Sequence, residues 1–231
     1  MIYFNGRSSE ELGVYVESYP VRTIPRRKTE IISIDGRSGD IIIPQEAFEN
    51  VMQEYDIYIS AKKKKLHTAA HAVAEWLMQS GYKRLEDSYD PEVYRMACYT
   101  GGEEIESFLD EFGRATITFN AMPQRWLKEG EKTLTVSKGM TLRNPTAYPA
   151  KPLIKVTGSG NGTLTVGGTT VTLTGINQFI MLDSEIMDAY KGTENCNSKM
   201  SGQFPELAGN SVITWTGGIT AVEITPRWYS L

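Results

Sequence analysis

The sequence predicts a mainly β protein with one α-helix and two domains, on the strength of three observations. Residues 55–60 and 115–119 alternate with period two and are rich in strand-forming side chains, so each predicts a β-strand. After residue 138 the chain consists of short runs of β-branched residues separated by glycine pairs, which is typical of a β-sandwich. Between the two predicted strands, a single stretch has apolar residues at helical spacing: Ala69, Ala72, Val73, Trp76 and Leu77.

The composition is that of a folded protein and argues against two functional classes. Of the 231 residues, 40% are hydrophobic and 23% are charged, which is too apolar for an extensively disordered chain. The formal net charge of −4 disfavours a dedicated nucleic-acid-binding protein, which would usually be basic. The first seven residues do not resemble a secretory signal, and we expect no membrane insertion because no segment approaches the roughly 20 apolar residues needed. The two cysteines, Cys98 and Cys196, form no CxxC pair, so we expect a reducing compartment.

The first part of the chain is predicted to contain β-structure around the helix. Strands are expected at residues 31–34 and 41–43, separated by a tight glycine loop, with Pro44 ending the second. The helix is predicted over residues 67–79, with Thr68 as its N-cap and Gly81 as its C-terminal stop. Fading periodicity and a run of prolines place a domain boundary near residue 137, giving domains 1–137 and 138–231.

Three glycine-rich segments of the second domain predict hairpin turns. Gly167-Gly168 separates two β-branched runs, in a register that sets Leu164 opposite Val171 and Thr165 opposite Thr170. Gly217-Gly218 predicts a second hairpin, between residues 211–215 and 219–224. Residues 158–162 resemble a phosphate loop, but a strand rather than a helix follows them, so a third turn is the better interpretation.

No combination of residues in the sequence predicts catalysis. His67 and His71 have the i, i+4 spacing of metal ligands but lack the glutamate of the zinc-protease motif, and a carboxylate would have to complete the site. Ser38 lacks the Gly-x-Ser-x-Gly spacing of a nucleophile. A cluster of carboxylates lies too close together in the sequence to predict a glycosidase pair: Glu103, Glu104, Glu106, Asp110 and Glu111. We therefore predict a non-enzymatic protein without cofactor or metal.

Two segments are candidates for contacts with other molecules. The two apolar β-branched runs flanking the glycine loop could pair with a second copy, since unpaired strand edges must be covered, charged or paired. The residues proposed for this interface are Ile31, Ile34, Arg37, Ile41 and Ile43. A basic run could guard a strand edge or contact an acidic protein surface or passing DNA: Lys62, Lys63, Lys64 and Lys65.

Several segments, taken in order, resemble the distal tail protein family of siphophages. In the first domain they are Phe4-Asn5-Gly6, Ser9 to Val14, Ile24-Pro25-Arg26-Arg27, Ile34 to Asp40, Trp76-Leu77, Leu85, Asp87, Asp90-Pro91, Tyr94 and Phe112 to Phe119 with Pro123. In the second they are Asn144, Tyr148 to Pro152, Gly158-Ser159-Gly160, Leu182-Asp183, Phe204 to Leu207, Gly209-Asn210 and Arg227-Trp228. The order and spacing of these segments along nearly the whole chain carry the resemblance, since no single motif is specific.

The resemblance implies an N-terminal split β-barrel-like domain with one helix and a C-terminal galectin-like β-sandwich. It also implies a homohexameric ring that joins the tail tube protein to the tail-tip hub protein, contacts receptor-binding or baseplate proteins, and lets DNA pass through its centre. Such a protein would be made in the host bacterial cytoplasm and end in the virion, at the tail tip. An alternative function is a carbohydrate-binding sandwich module for host adhesion, with Trp215, Trp228 and Tyr229 as the candidate sugar-stacking residues.

Overall fold

A computed structural model describes residues 1–61, 66–102 and 112–231, together with the backbone of residues 106–109. The chain divides into two compact units, Met1–Arg125 with Leu231, and Trp126–Ser230. The boundary predicted near residue 137 lies inside the second unit, because the strand Leu134–Val136 pairs with the long strand Asn210–Thr225 of that unit.

The first unit consists of ten strands and one α-helix among its described residues. They are β1 (Ile2–Phe4), β2 (Arg7–Ser8), β3 (Val14–Val16), β4 (Arg27–Ile32), β5 (Ile41–Phe48), β6 (Val51–Ser60), α1 (Leu66–Leu77), β7 (Lys83–Asp87), β8 (Val93–Tyr99), β9 (Glu106–Leu109) and β10 (Phe112–Ala121). The main sheet has the order β2-β1-β7-β8-β10-β6-β3, with β9 paired to β10. Strands β4 and β5 form a separate two-stranded sheet.

The core of the first unit lies between one face of this sheet and the helix. Strand β6 alternates strictly, burying Val51, Tyr55, Ile57 and Ile59 among others and exposing the residues between them, as a half-buried strand must. The helix packs its apolar stripe on this core, and the indole Nε1 of Trp76 donates a 3.1 Å hydrogen bond to a backbone carbonyl of β1. The predicted alternation and amphipathic helix are confirmed.

Both predicted ends of the helix are corrected. The helix begins at Leu66, whose buried side chain extends the apolar stripe by one turn, so Thr68 lies inside the first turn and is not the N-cap. The helix ends at Leu77, and Gly81, with a φ of +70°, lies in the connection to β7. Pro44, predicted to end a strand, lies inside β5. Proline lacks a backbone N–H, and this is tolerated because β4 and β5 form a two-stranded ribbon whose register shifts nearby.

The second unit is built on three long strands. Its strands are β11 (Arg125–Leu127, whose first residue belongs to the first unit), β12 (Leu134–Val136), β13 (Thr141–Arg143), β14 (Leu153–Val166), β15 (Thr169–Asp183), β16 (Asp188–Lys191), β17 (Glu194–Asn195), β18 (Met200–Ser201), β19 (Asn210–Thr225) and β20 (Tyr229–Ser230). Short 3-10 helices span Ser9–Leu12 in the first unit and Lys128–Glu131 and Asn197–Lys199 in the second. The main sheet has the order β12-β19-β14-β15-β16-β17.

Of the three predicted hairpin turns, only the one at Gly167-Gly168 exists. There β14 and β15 pair in the predicted register, and both glycines have positive φ, 55° and 96°. Residues 158–162 and Gly217-Gly218 lie instead within the continuous strands β14 and β19, where the register of their pairing shifts. A Cβ on Gly158 would overlap the carbonyl oxygen of Gly218, so these glycines permit a close backbone approach at a bulge and not a chain reversal.

The glycine-rich bulge lies midway along the long strands and divides them into two halves. Ile154 and Val156 lie before it and Leu164 and Val166 after it, yet all four are fully buried in the same hydrophobic core. A single hydrophobic core therefore extends along the long strands on both sides of the bulge. The predicted mainly β class, with one helix among the described residues, is confirmed.

Candidate assembly surface

The most unusual surface of the first unit is the two-stranded hairpin of β4 and β5, which we call the hairpin arm (Arg27–Phe48). Its strands pair antiparallel, with Ile31 opposite Ile42 and Ile32 opposite Ile41. All six residues of β4 are exposed, and in β5 only the two end residues are partly buried. Ile31 and Ile42 are 62% and 64% exposed, which is unusual for a pair of adjacent isoleucines.

The hairpin arm is apolar on both of its faces. Directly opposed residues of an antiparallel pair share a face, so Ile31 and Ile42 form one apolar face. Ile32, Ile41 and Ile43 follow on the opposite face, where Ile32 and Ile43 are 39% and 44% exposed. A ribbon that is apolar on both sides is typical of a strand pair that is covered on both sides.

Local contacts hold the arm in an extended form. The guanidinium of Arg27 lies 4.7 Å from the centre of the Phe48 ring, and its Nη1 donates a 3.2 Å hydrogen bond to the carbonyl of Gln45. At the base, the backbone N–H of Glu49 donates to the carbonyl of Arg26 at 2.8 Å. At the tip, the N–H of Arg37 donates to the carbonyl of Ile34 at 3.1 Å. The arm is therefore fixed at its base and its tip while its isoleucines are in solvent.

A groove lies at the base of the arm. It has a volume of about 530 Å³ and is lined by Val21, Ile24, Arg26, Glu49 and Met52, among others. Val21 and Ile24 belong to an extended segment that leads into the arm, and they are 76% and 88% exposed. The apolar surface of the arm thus continues onto the unit at its base.

The structure places the five predicted interface residues on this arm, but not on one face. Ile31 lies on one face and Ile41 and Ile43 on the other, while Ile34 and Arg37 lie in the connecting loop. Sequence reasoning omitted Ile32 and Ile42, which complete the two faces. The signal that would have found them is the register across the loop, which a connection of eight residues, 33–40, does not fix.

The other candidate sites from the sequence do not come together as a centre. The run of Lys62, Lys63, Lys64 and Lys65 lies outside the described residues, as do Glu103, Glu104, Asp110 and Glu111 and the side chain of Glu106. His67 and His71 are exposed on the helix, and Ser38 is exposed in the hairpin loop. Within the described parts of the chain, no three His, Cys, Asp or Glu residues lie close enough together to hold a metal ion.

A buried polar centre in the first unit supports the fold near the segment leading to the arm. The hydroxyl of Tyr55 donates to Asp87 Oδ2 at 2.8 Å, and Asp87 Oδ1 accepts the N–H groups of Tyr89 and Asp90. Burial, together with the neighbouring Asp87 carboxylate, raises the pKa of Tyr55 well above its usual value. Burial lowers the pKa of Arg95, whose Nη1 donates to the carbonyls of Met122 and Pro123. These groups line a cavity of about 450 Å³.

The residues proposed for sugar stacking have different surroundings from those expected. Trp215 and Trp228 are buried in the core of the second unit and are not available to stack on a sugar. Tyr229 is half-buried and contacts the rings of Trp126 and Tyr148. As for membranes, the helix found in the described residues is too short and too polar to cross one.

The chain is similar to solved structures but not to any family model or curated protein. Among solved structures, the chain is similar to the Dit protein of phage SPP1, whose structure is presented as a paradigm of the hub adsorption apparatus in phages that infect Gram-positive bacteria. The TM-score is 0.79 at 13% sequence identity, and the match covers 100% of this chain and 98% of the SPP1 protein. The chain therefore shares the fold of the SPP1 protein over its whole length. The likeness to a distal tail protein and the mainly β class expected from the sequence are confirmed, while the split-barrel and galectin-like descriptions of the two domains remain predictions.

Proposed function

We propose that this chain is a structural protein of a phage tail, a distal tail protein whose copies form a homohexameric ring between the tail tube protein and the tail-tip hub protein. The ring is made through the first unit, and the second unit is directed to receptor-binding or baseplate proteins. DNA passes through the centre of the ring without sequence-specific contacts. The protein is made in the bacterial cytoplasm, becomes part of the virion, and performs no catalytic step and needs no cofactor.

The full-length similarity to SPP1 Dit supports the place of the protein in the tail. At 13% identity this similarity concerns the fold alone. Support for the assembly comes from this chain's own surface.

The hairpin arm is the observation that carries the proposed self-assembly. An isolated two-stranded hairpin is at best marginally stable in water, and fully burying one isoleucine contributes about 1.5–3 kcal/mol. Covering Ile31 and Ile42 would therefore stabilise both the arm and the contact that covers it. The arm lies on one surface of the molecule and needs a different surface to receive it. Repetition of such a head-to-tail contact closes into a ring if the rotation between copies permits, and the family resemblance supplies the number six.

The experiment is a comparison of two double variants by light scattering coupled to size-exclusion chromatography. The test variant carries Ile31→Lys and Ile42→Lys. The control carries Ile186→Lys and Met187→Lys, which place the same two charges at exposed apolar positions of the second unit. We expect the control to assemble as the wild type does and the test variant to remain monomeric. Assembly of the test variant at wild-type concentrations would exclude the arm as the assembly contact.

A further inference from the structure

One cavity of the first unit has the size and the lining of a binding site. Its volume is about 450 Å³, and every residue that lines it belongs to that unit. Its lining includes the buried side chains of Tyr55 and Leu85 and the exposed side chains of Tyr19 and Ile24, so the cavity runs from the core to solvent. Clefts of this size, lined by apolar and aromatic groups with a few polar ones, commonly bind small organic molecules.

Three guanidinium groups line this cavity, which we call the arginine cleft: Arg22, Arg95 and Arg125. They come from the segment that leads into the hairpin arm, from β8 and from the start of β11. The rings of Tyr19 and Tyr89 also line the cleft and meet edge to face, with their centroids 4.8 Å apart. Distant parts of the sequence thus converge on one cleft, and the segment before the arm forms one of its walls.

Two of the three carboxylates that line the cleft have their partners within the fold. Glu86 forms an ion pair with Arg84, which is not among the lining residues. Asp87 accepts the hydroxyl of Tyr55 on one oxygen and two backbone N–H groups on the other. Asp87 is therefore satisfied without a guanidinium.

The third carboxylate, Asp90, is shared by two guanidiniums. Its Oδ2 lies 3.4 Å from Nη2 of Arg22 and also forms an ion pair with Nη2 of Arg125. Burial, together with the positive charge of Arg22, lowers the pKa of Arg125, as expected for two like charges beside one carboxylate. One negative charge thus serves two positive ones.

The remaining guanidinium, that of Arg95, has no ion pair within the described residues. Its Nη1 donates two hydrogen bonds of 3.2 Å, to the carbonyls of Met122 and Pro123. Its Nε and Nη2 donate to no group in the part of the chain that the structure describes. Asp87 attracts the charge of Arg95 only from beyond ion-pair distance. Arg95 therefore brings to the cleft a partly buried positive charge with N–H groups left to donate.

We propose that the arginine cleft binds a small organic anion whose carboxylate or phosphate group pairs with Arg95. With Glu86 held by Arg84, three guanidiniums of the cleft are balanced by only two carboxylates, Asp87 and Asp90. The planar guanidinium matches the paired oxygens of a carboxylate or a phosphate. The tyrosine rings of the cleft provide the surface for an apolar body next to the anionic group.

The test is a titration of the full chain, in a buffer free of carboxylate and phosphate, followed by fluorine NMR of the ligand. The anionic probes are para-fluorophenylacetate and para-fluorophenyl phosphate. The comparison probes are para-fluorophenylacetamide, the neutral match to the first, and para-fluorobenzylammonium, which carries the opposite charge. We expect saturable binding of at least one anion and no saturation by the amide or the ammonium at the same concentrations. The tighter of the two anions identifies the preferred group.

The role of Arg95 is tested by three variants. Arg95→Gln removes the charge that pairs with the anion and should weaken binding about tenfold, the effect of losing one charged hydrogen bond. Arg95→Lys keeps the charge but not the planar fork and should recover part of the affinity. The control, Arg7→Gln, removes an arginine that does not line the cleft and should bind as the wild type does.

A fourth variant covers the case in which Arg95→Gln does not fold, since Arg95 also holds two backbone carbonyls. Arg22→Gln removes a guanidinium whose side chain is 70% exposed, so the fold should tolerate it. It lowers the positive charge of the cleft and should weaken anion binding about threefold. Melting temperatures show which variants are folded.

Three outcomes would overturn the proposal. The first is no saturable binding of either anion. The second is equal affinity for the anion in Arg95→Gln and in Arg7→Gln or, if Arg95→Gln is unfolded, in Arg22→Gln and in Arg7→Gln. The third is tighter binding of the amide or the ammonium than of either anion. All are measured on the full chain whether or not it forms rings, so a failure here and a failure of the proposed assembly are distinguishable.

Discussion

Arg227 and Asp183 form a bidentate ion pair in which Nη1 lies 2.6 Å from Oδ1 and Nη2 lies 3.0 Å from Oδ2. Arg227 has a φ of +57°, a conformation that is unfavourable for a residue with a side chain. The ion pair offsets this cost and joins the end of β15 to the segment before β20. Asp183 also accepts the N–H of Glu185, so its carboxylate closes the turn that follows β15.

We expect Asp183→Asn to destabilise the second unit by about 2 kcal/mol, the usual value of hydrogen bonds that involve a charged group. Chemical denaturation at neutral pH measures this change. The control is Glu223→Gln, which removes the more exposed ion pair with Lys155 and should cost less than about 1 kcal/mol. Equal effects of the two substitutions would show that the Arg227 pair has no special role.

The Arg227–Asp183 ion pair also predicts that the unfolding free energy of the second unit depends on pH in the acid range. Burial disfavours the charged form of Asp183, but the hydrogen bonds and charge of Arg227 and the N–H groups of Glu185 and Ile186 outweigh burial and hold its pKa below the usual value. Because the folded-state pKa is lowered, the stabilisation is present above the unfolded-state pKa and is lost as pH falls through the folded-state pKa. The difference in unfolding free energy between the wild type and Asp183→Asn should therefore shrink in acid. A difference that stays constant down to acid unfolding would contradict this.

Tyr55 predicts that the unfolding free energy of the first unit falls as pH rises through the alkaline range. Burial and the neighbouring Asp87 raise its pKa well above the usual value, so the unfolded chain loses this proton at a lower pH than the folded protein. The contribution of Tyr55 to stability should be complete below the unfolded-state pKa and fall as pH rises above it towards the folded-state pKa. Tyr55→Phe removes the 2.8 Å hydrogen bond to the Asp87 carboxylate and should cost about 2 kcal/mol near neutral pH. The unfolding free energy of this variant should fall less steeply with rising pH than that of the wild type. Parallel pH profiles of the two proteins would argue against this account.

The turn at Gly167-Gly168 predicts a purely conformational effect. A Cβ on Gly168 would meet no atom within 4 Å, but its φ of 96° is one that a β-branched residue resists. We expect Gly168→Val to destabilise the second unit by about 1–3 kcal/mol, while Thr169→Val, one residue beyond the turn, should have little effect. An unchanged melting temperature in Gly168→Val would show that this turn geometry is not required.

At the bulge, a substitution to alanine is expected to destabilise the second unit more than valine does at Gly168. A Cβ on Gly218 would overlap the carbonyl oxygen of Ser159, and backbone atoms cannot move aside without separating β14 from β19. Gly218→Ala should therefore cost about 3 kcal/mol or more. The matched control is Gly160→Ala, which has a φ of 73° but open space around its Cβ and should cost only about 1 kcal/mol. The reverse order in denaturant midpoints would be inconsistent with a bulge at this position.

These glycines also show what the sequence could and could not predict. The register of the Gly167-Gly168 hairpin followed from the residues, because only one pairing sets Leu164 opposite Val171 and Thr165 opposite Thr170 with the apolar side chains on one face. Gly217-Gly218 has the same local pattern but lies within a strand. The difference is set by the backbone of β14 beside it, which a local pattern does not contain.

The candidate sites differ in the same way. The hairpin arm could be predicted as a region because its isoleucines lie close together in the sequence, although its two faces could not. The contacts of the Trp126 and Tyr148 rings with Tyr229 could not be predicted, since these residues are brought together by the pairing of β11 with β20 and by the side chain of Asn144. Trp215 and Trp228 were candidates for sugar stacking, although aromatic residues of a sandwich more often belong to the core, and the structure places both in the core.

The measurement that tests the central claim most directly is the mass and shape of the purified full-length chain. Native mass spectrometry with negative-stain electron microscopy should show closed rings of six copies that dissociate when the arm carries Ile31→Lys and Ile42→Lys. Two results would contradict the proposal that the hairpin arm builds a ring in the phage tail. One is a wild-type chain that remains monomeric at all accessible concentrations, and the other is a variant with both substitutions that still forms the wild-type ring.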